Sequence, residues 1–346
     1  MKKLIIIPLL SLLISTTLAQ EFISHTNTVK NGYNFWVYTP VNPDSSAEIK
    51  PLVLFLHGAS LCGNNLSRVM RYGPLDALKR GLILDALVVA PQNPGGAWSP
   101  EKIMNVLNWV KENYGYDEDQ LYVIGMSLGG YGTLDFVGTY PEKVAAAMAM
   151  CGGANLRQGY CGLNEVPLWI LHGTADRDVG LKESQKVVNA MKNCGYTDRL
   201  IFTKLQGVDH GGPARLFYIN EVYDWLFEHR LTDPDRPVNT SYTITPESMK
   251  NPYRKLTPRT IPVRSGNKND SKKTEGIDET NEESTSPDTT ASPKPATGEK
   301  RYHTIKKGDT LGKIAQNNHT TVKKLCQLNN IKETTLLQIG KKLRVK

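Results

Sequence analysis

The sequence is poor in cysteine and lacks the common metal-binding motifs. Its five cysteines are scattered, and neither a Cys-x-x-Cys nor a His-Glu-x-x-His pattern occurs. Such spacings bring two ligands of a zinc ion together on one turn or one helix face. Without them a metal site has no support in the sequence, so we expect a protein that works without a metal or another cofactor.

The few cysteines leave the disulfide pattern open. Cys62, Cys151, Cys161 and Cys194 precede a long polar segment, and Cys326 follows it. An exported protein can form disulfides. The short spacing between Cys151 and Cys161 makes this pair a candidate bridge, but four cysteines allow three pairings and the sequence does not choose among them.

Long apolar runs are also missing. The most apolar stretch, Leu4–Ile14, is interrupted by Pro8 and Ser11 and is shorter than the roughly 20 residues that a transmembrane helix needs. Two lysines precede it and small residues follow it up to Ala19. This order predicts a signal peptide over residues 1–19. We expect an exported product, secreted or periplasmic, with no membrane span.

Aliphatic residues are scarce between residues 239 and 300. This segment is rich in Thr, Ser, Pro, Asn, Lys and Glu, so it cannot bury enough apolar surface to fold alone. We predict a large domain over residues 20–231, a linker over 232–300 and a small domain over 301–346. The first part of the linker, up to about Ile261, is a candidate to lie against the large domain.

Positive charge is concentrated in the tail. Residues 300–346 hold 12 Lys and Arg against 2 Asp and Glu, whereas the formal net charge of the whole chain is only +8. The rest of the chain is therefore slightly acidic. A nucleic-acid-binding surface is one interpretation of such a tail. Attraction to an anionic cell wall or membrane surface is the other, and we expect no nucleic-acid partner.

The large domain alternates short apolar runs with helical patterns. Predicted strands cover residues 33–39, 51–56, 82–90, 121–124, 144–150, 166–171 and 199–205. Predicted helices cover residues 99–114, the segment that ends at 140, and residues 182–194 and 214–228. This alternation predicts an α/β fold, a mostly parallel sheet with helices on both faces. In such sheets functional groups lie at the carboxyl ends of the strands.

One of these strand ends carries the pattern Gly125-Met126-Ser127-Leu128-Gly129. A Gly-x-Ser-x-Gly turn between a strand and a helix forces the serine into a strained backbone and exposes its hydroxyl. The glycines let the strand and helix pass close together. The pattern is weak alone, and a glycine-rich turn with a bystander serine is the alternative interpretation.

Two later strand ends supply the partners that make the serine informative. Asp176 follows one predicted strand and His210 follows the last. The order Ser, Asp, His is that of the α/β-hydrolases. From about Tyr33 to Glu228 the chain resembles an α/β-hydrolase of the secreted carboxylesterase and phospholipase-like group, which includes feruloyl and acetyl esterases. The resemblance lies in FLHGAS (55–60), APQNPGGAW (90–98), GMSLGGYG (125–132), LHGTADRDV (171–179) and GVDHGG (207–212).

The resemblance implies a role for each matching residue. Ser127 would be the nucleophile, and His210 would take its proton and pass it to the leaving group. Asp176 would orient the imidazole and stabilise its charged form. The backbone N–H groups of Ala59 and Leu128 would bind the negative oxygen that develops on an ester substrate.

Several neighbouring residues offer alternatives. Asp178 could replace Asp176 as the orienting acid, but the family places the acid at the fourth position after the histidine, which favours Asp176. The family usually has proline after the valine of this motif, whereas this chain has Gly180. Asp209 is expected to be a turn residue, and Trp169, inside a strand, a core residue.

Three further polar or aromatic residues lie at strand ends near the predicted site. His57 and His172 each precede a glycine, and we expect both to be structural, with their rings hydrogen-bonded to loops. Trp98 has two interpretations: it could form the floor of a substrate-binding pocket, or it could be buried against the helix that follows it.

Residues 301–346 form a second pattern. A strand at 302–305, two short helices with apolar faces, and a closing strand at 342–345 predict a β-α-α-β unit with a marginal core. The segment resembles a LysM module over nearly its full length. The resemblance implies binding of N-acetylglucosamine polymers, peptidoglycan or chitin. The implied contact loops contain Gly308, Asp309, Thr310 and Leu311, and Asn330 and Ile331.

Taken together, these patterns predict an exported serine carboxylesterase held near peptidoglycan or a similar polymer. Short acyl groups on polysaccharide are the first candidate substrates, and lipid esters the second. A peptidase of the prolyl-oligopeptidase kind is an alternative, although no propeller-like domain precedes the catalytic part. A second alternative is a wall-binding protein whose hydrolase domain is only a scaffold.

Overall fold

The structure is a computed structural model that describes residues 20–40, 49–195, 198–267, 302–306, 309, 311–318, 320–329, 331, 337 and 341–345. The predicted signal peptide lies outside these residues. The chain divides into two compact units, Met1–Ile277 and Asp278–Lys346. In the described ranges, no helix has the length and apolarity needed to cross a bilayer.

The first unit is built on one sheet of nine strands. The strands are β1 (Glu21–His25), β2 (Asn34–Thr39), β3 (Leu52–Leu56), β4 (Leu87–Gln92), β5 (Leu121–Met126), β6 (Ala146–Met150), β7 (Leu168–Gly173), β8 (Leu200–Leu205) and β9 (Val263–Ser265). Their order across the sheet is β8-β7-β6-β5-β3-β4-β2-β1-β9. Strands β3 to β8 are mutually parallel, and β2 runs antiparallel to β1 and β4. The predicted α/β-hydrolase arrangement is confirmed.

Helices cover both faces of this sheet, as the alternating pattern predicts. They are α1 (Pro74–Lys79), α2 (Pro100–Tyr114), α3 (Leu128–Thr139), α4 (Lys182–Asn193) and α5 (Asn220–Phe227). Helices α2, α3 and α4 contribute to the core on one face, and α1 and α5 to the core on the other. The helix predicted over 214–228 is divided, because Ile219 adopts an extended backbone between a 3₁₀ helix (Gly212–Tyr218) and α5.

The central strands are apolar on both sides because both faces are covered. Every residue of β3, β5, β6 and β7 is buried. Within β3 the side chains alternate between the two cores: Val53 and Phe55 join one, and Leu52, Leu54 and Leu56 join the other. The parallel register brings the carboxyl ends of these strands to one edge, where the predicted site residues follow.

The segment after residue 231, predicted as the start of a linker, packs on the first unit in the structure. Its widely spaced apolar residues Ile244, Met249 and Ile261 are buried in the core on the α1 and α5 face. Strand β9 then pairs in parallel with β1. The structure therefore extends this unit through residue 267. This packing agrees with the expectation that the segment up to about Ile261 lies against the large domain. Its polar composition gives no stronger signal, because three anchors in about twenty residues make no periodic pattern.

The disulfide in the structure joins Cys161 to Cys194. The candidate bridge between Cys151 and Cys161 is therefore wrong: Cys151 is fully buried with a free thiol. The observed bridge ties the loop after β6 to the end of α4, which are distant in sequence but adjacent in the fold.

The second unit is small and has its own core. Strands β10 (Tyr302–Thr304) and β11 (Lys342–Arg344) pair antiparallel, and helices α6 (Leu311–Asn317) and α7 (Val322–Asn329) lie between them in sequence. The predicted β-α-α-β unit is confirmed. Its buried residues are Ile305, Leu311, Ile314, Ala315, Leu325, Cys326, Leu343 and Val345.

Candidate active site

Ser127 lies in a sharp turn between β5 and α3. Its backbone has φ 58° and ψ −123°, a conformation that non-glycine residues rarely adopt. A Cβ on Gly125 would come within 2.3 Å of the Gly129 carbonyl oxygen, and one on Gly129 within 1.8 Å of the Leu56 oxygen. Only glycine fits at both positions, so the strained serine turn predicted from the motif is present.

The three predicted catalytic residues, Ser127, Asp176 and His210, meet at this edge of the sheet. Ser127 Oγ lies 2.9 Å from His210 Nε2, and His210 Nδ1 lies 2.7 Å from Asp176 Oδ2. Because the carboxylate can only accept, it holds the proton on Nδ1 and leaves Nε2 free to accept from the serine hydroxyl. This is the geometry that serine hydrolases use to activate the nucleophile.

Asp176 is held from several sides. Its Oδ1 accepts hydrogen bonds from the N–H groups of Asp178 and Val179, at 3.0 and 2.9 Å. Burial raises the pKa of its carboxyl, but the hydrogen bonds from His210 and Val179 outweigh burial and leave the pKa below its usual value. The carboxylate is thus ionised beside the imidazole. Asp178, in contrast, is exposed and contacts Asp176 only through its backbone, so the structure brings Asp176 to the imidazole and not Asp178.

A residue that the sequence reasoning missed lies beneath this carboxylate. Cys151 follows β6 with φ 49°, and its buried thiol lies close to the Asp176 carboxylate. The possible clue was its position directly after the strand that neighbours the nucleophile strand. The thiol, an imidazole nitrogen of His172 and a carboxylate oxygen of Asp176 lie within 4.8 Å of one another. These are metal-ligand types, but hydrogen bonds with neighbouring protein groups already engage His172 and Asp176.

The two predicted oxyanion donors belong to segments that border Ser127. Leu128 is the first residue of α3, and Ala59 begins a 3₁₀ helix (Ala59–Leu61) that follows β3. A Cβ on the adjacent Gly58 would lie 3.4 Å from Ser127 Cβ, so this loop borders the serine. Within the described chain neither N–H donates to a protein acceptor, which leaves both available to a substrate oxygen.

The other histidines at strand ends are enclosed, as expected. His57 is fully buried, donates through Nδ1 to the Gly58 oxygen at 2.8 Å and accepts at Nε2 from the Asn93 N–H at 3.0 Å. Burial lowers its pKa to about 4. His172 is likewise buried; its Nε2 donates to the Val179 oxygen at 2.8 Å and lies 3.3 Å from Asp176 Oδ2.

Trp98 lies in the core and not on the floor of an open pocket. Only 3% of its surface is exposed. Its indole N–H donates to the His57 oxygen at 3.3 Å, and a Cβ on Gly132 of α3 would touch its ring at 2.6 Å. The structure therefore favours burial, the second interpretation of Trp98, over the predicted substrate contact. Trp169 is fully buried, as expected.

A small open pocket adjoins His210. It has a volume of about 360 Å³ and is lined by Ala175, Arg177, Asp178, Asp209, His210 and Gly211. Its walls carry three charged side chains and no apolar group larger than an alanine methyl. Such a lining suits a hydroxyl-rich group better than an acyl chain of a lipid, because the charged groups stay solvated or hydrogen-bonded.

In the second unit, the described contact-loop residues are Asp309, Leu311 and Ile331. Gly308, Thr310 and Asn330 lie outside the described residues. Asp309 Oδ2 is 2.7 Å from His303 Nε2 and accepts from the Lys306 N–H at 2.8 Å. The Leu311 side chain is buried, and Ile331 packs against the same core. The Asp309 side chain therefore bonds to neighbouring groups of the same module, and the other two side chains contribute to its core.

Comparisons with known proteins agree with this division. Residues 303–346 match the LysM domain family, which confirms the predicted module. Part of the chain is 28% identical over 176 residues to the bifunctional acetylxylan esterase/xylanase XynS20E of Neocallimastix patriciarum, an alignment that covers 49% of this chain and 24% of that protein. The chain thus spans about a quarter of the length of this relative.

Solved structures with related folds include esterases and peptidases. A thermostable esterase matches with 24% identity and a TM-score of 0.48, over 61% of this chain and 63% of that one. A mutant feruloyl esterase module from Clostridium thermocellum, in complex with sinapinate, matches with 19% identity and a TM-score of 0.44, over 56% and 82%. At these scores the likeness supports no conclusion about activity.

Proposed function

We propose that this chain, an α/β-hydrolase unit followed by a LysM domain, is an exported serine carboxylesterase. The observation that carries the proposal is the hydrogen-bonded series from Ser127 Oγ through His210 to Asp176, with contacts of 2.9 and 2.7 Å. Separations of this size allow proton transfer without rearrangement. The strained serine turn beside two available N–H groups supplies the rest of an acyl-transfer site.

In the first half of the reaction, Ser127 Oγ attacks the carbonyl carbon of an ester while His210 Nε2 takes the hydroxyl proton. The carbonyl oxygen becomes an oxyanion and is bound by the N–H groups of Ala59 and Leu128. Asp176 stabilises the imidazolium. The tetrahedral intermediate collapses, the C–O bond to the alcohol breaks, and His210 donates its proton to the departing alcohol oxygen.

In the second half, a water molecule replaces the alcohol. His210 takes a proton from the water as its oxygen attacks the acyl carbon bound to Ser127. The second oxyanion is held by the same two N–H groups. Collapse breaks the bond to Ser127 Oγ, which recovers its proton from His210, and the free acid leaves. In both halves His210 acts first as a base and then as an acid, while Ser127 is the nucleophile of the first half and the leaving group of the second.

The substrate class that fits best is a short acyl group on a polysaccharide. The pocket beside His210 is lined by charged groups of Arg177, Asp178 and Asp209, which can hydrogen-bond the hydroxyls of a sugar alcohol. A related protein bears the name acetylxylan esterase, which supports an acetylated polysaccharide. A lipid ester is the weaker candidate, because this pocket offers its chains no apolar wall.

The LysM domain would hold the enzyme near its polymer. The match of residues 303–346 to this family supports binding of an N-acetylglucosamine polymer such as peptidoglycan, through the loops at 308–311 and 330–331. The basic tail would add attraction to wall anions. We infer a secreted or periplasmic, wall-associated protein whose signal peptide, residues 1–19, is removed. No nucleic-acid partner is proposed.

The catalytic proposal is tested by p-nitrophenyl acetate hydrolysis with wild type and Ser127→Ala. We expect kcat to fall by about 10⁴-fold or more, because the nucleophile is lost. Ser241→Ala, at an exposed serine far along the chain, is the matched control and should keep wild-type kcat. Equal rates for wild type and Ser127→Ala would refute a serine mechanism.

Wall binding is tested separately by pelleting with purified peptidoglycan. Removal of residues 301–346 should leave most of the protein in the supernatant while p-nitrophenyl acetate hydrolysis stays within about twofold, since the triad lies wholly in the first unit. Unchanged pelleting of the truncated chain would show that the LysM domain is not the anchor.

A further inference from the structure

The loop that carries Ala59 owes its orientation to groups outside the triad. In this loop, residues 57–62, the peptide between Gly58 and Ala59 contains both the Gly58 carbonyl and the Ala59 N–H. The carbonyl accepts hydrogen bonds from His57 Nδ1 at 2.8 Å and from the Leu61 N–H at 3.1 Å. Since the two groups of a planar peptide point in opposite directions, these bonds turn the Ala59 N–H the other way.

The preceding amide is held by a tyrosine. The Gly58 N–H donates to the Tyr72 hydroxyl oxygen at 2.8 Å. A Cβ on Gly58 would lie 2.9 Å from the Tyr72 oxygen and 3.4 Å from Ser127 Cβ. The tyrosine hydroxyl therefore holds the residue that precedes Ala59, close to the nucleophile.

The ring of Tyr72 is itself fixed by packing. It lies edge-on to Phe55, with ring centres 6.1 Å apart, and 6.3 Å from Phe217. The next residue, Gly73, has φ +93°, and a Cβ there would come within 2.4 Å of the Phe55 ring. Phe55 belongs to β3, and Phe217 to the 3₁₀ helix that follows the His210 loop. This packing fixes the position of the Tyr72 hydroxyl.

We propose that Tyr72 is a positioning residue for the oxyanion hole, acting through the Gly58 N–H to aim the Ala59 N–H at the oxyanion. This inference rests on the proposed esterase function. An N–H donor contributes to catalysis only when it points at the position that the oxyanion reaches, so a small rotation of this loop would weaken the bond in the transition state more than in the ground state.

The main test is Tyr72→Phe, which keeps the ring and its packing and removes only the hydroxyl. Complete loss of one oxyanion donor costs about 10²–10³ in kcat, so a misaimed donor should cost about 10- to 100-fold. We expect KM for p-nitrophenyl acetate to stay within about threefold. Affinity for phenylboronic acid, which forms a tetrahedral adduct on a serine, should fall by about the same factor as kcat.

The matched control is Tyr122→Phe. The Tyr122 hydroxyl donates to the His229 oxygen at 2.8 Å in the core, near the amino-terminal end of β5 and away from Ser127. This variant also loses a buried hydroxyl bond, so it should lower thermal stability while kcat and boronate affinity remain at wild-type values. A purely structural role for Tyr72 would give the same pattern in Tyr72→Phe and would overturn the proposal.

Ser60→Ala provides a second test at an exposed position, where folding is not at risk. It leaves the bond from the Gly58 N–H to the Tyr72 hydroxyl in place, so we expect kcat and KM to stay within about twofold of wild type. A fall in kcat as large as that in Tyr72→Phe would show that any change in this loop lowers kcat and would overturn the proposal. Unchanged kcat in Tyr72→Phe, with Ser127→Ala inactive, would refute the positioning role alone. Activity retained by Ser127→Ala would instead refute the proposed function.

Discussion

The carboxyl ends of β3 and β8 both lead to a histidine at the same edge of the sheet, and the two residues differ in every property that matters for proton transfer. His57 after β3 is fully buried and bonded at both nitrogens to backbone groups. His210 after β8 keeps 20% of its side chain exposed and lies between a hydroxyl and a carboxylate.

This difference shows which features make a histidine a candidate base. A backbone carbonyl or N–H has no net charge with which to stabilise a protonated ring, whereas a carboxylate stabilises the imidazolium that forms. Burial lowers the pKa of His57 to about 4, so that ring stays neutral. Position at a strand end is therefore common to both histidines, and the partners and solvent exposure distinguish them.

The largest effect on kcat should come from replacing one of the two neighbouring acids, Asp176 and Asp178. Asp176→Asn keeps the shape but removes the charge beside His210, and we expect kcat to fall by about 10⁴-fold, because the imidazole loses its correct tautomer. Asp178→Asn, two residues away and exposed, is the comparison variant. Because p-nitrophenyl acetate has no sugar hydroxyls for Asp178 to bind, this variant should change kcat by less than about threefold. Steady-state hydrolysis of p-nitrophenyl acetate measures both. A larger loss in Asp178→Asn would reassign the orienting acid.

A second prediction concerns another enclosed histidine, His25. Burial, with a smaller effect of Arg264, lowers its pKa from 6.5 to about 4. The unfolded chain therefore binds the proton first as the pH falls, and the free energy of unfolding declines between pH 6.5 and 4. Replacement by Phe should reduce the loss between pH 7 and 4.5 by about 2 kcal/mol. Urea unfolding at the two pH values measures this difference.

The surroundings of His25 show which result would contradict this prediction. It stacks on Phe35 with ring centres 4.9 Å apart and has one bond, from Nε2 to the Tyr114 hydroxyl at 2.6 Å, while Nδ1 is buried without a partner. An equal pH dependence of unfolding in wild type and His25→Phe would mean that the ring has the same pKa in the folded and the unfolded chain. Burial would then not keep this histidine neutral.

The smallest predicted effect concerns Trp98, which is buried beside His57. Trp98→Phe loses the indole bond to His57 and leaves a small cavity, so we expect the free energy of unfolding to fall by about 1–2 kcal/mol. KM for p-nitrophenyl acetate should remain within about twofold. A tenfold rise in KM without loss of thermal stability would restore the interpretation of Trp98 as a substrate contact.

Much of the site was accessible from local pattern. The serine turn is encoded by Gly125 and Gly129, which the structure requires for close approach, and the order of Asp176 and His210 followed from the strand alternation. Cys151 escaped notice because its contact with Asp176 crosses from one strand end to another. Tyr72 escaped because nothing in its neighbourhood in the sequence marks its bond to Gly58.

The sequence by itself determined the alternation that builds the sheet, the turn at Ser127, and the composition that separates the LysM domain from the rest. These features are local, since hydrophobic period and glycine placement act over a few residues. Only the tertiary structure decided that Cys161 pairs with Cys194, that strand β9 pairs with β1, and that the Tyr72 hydroxyl meets the Gly58 N–H. Those outcomes depend on which distant segments pack side by side, and packing is a property of the whole unit.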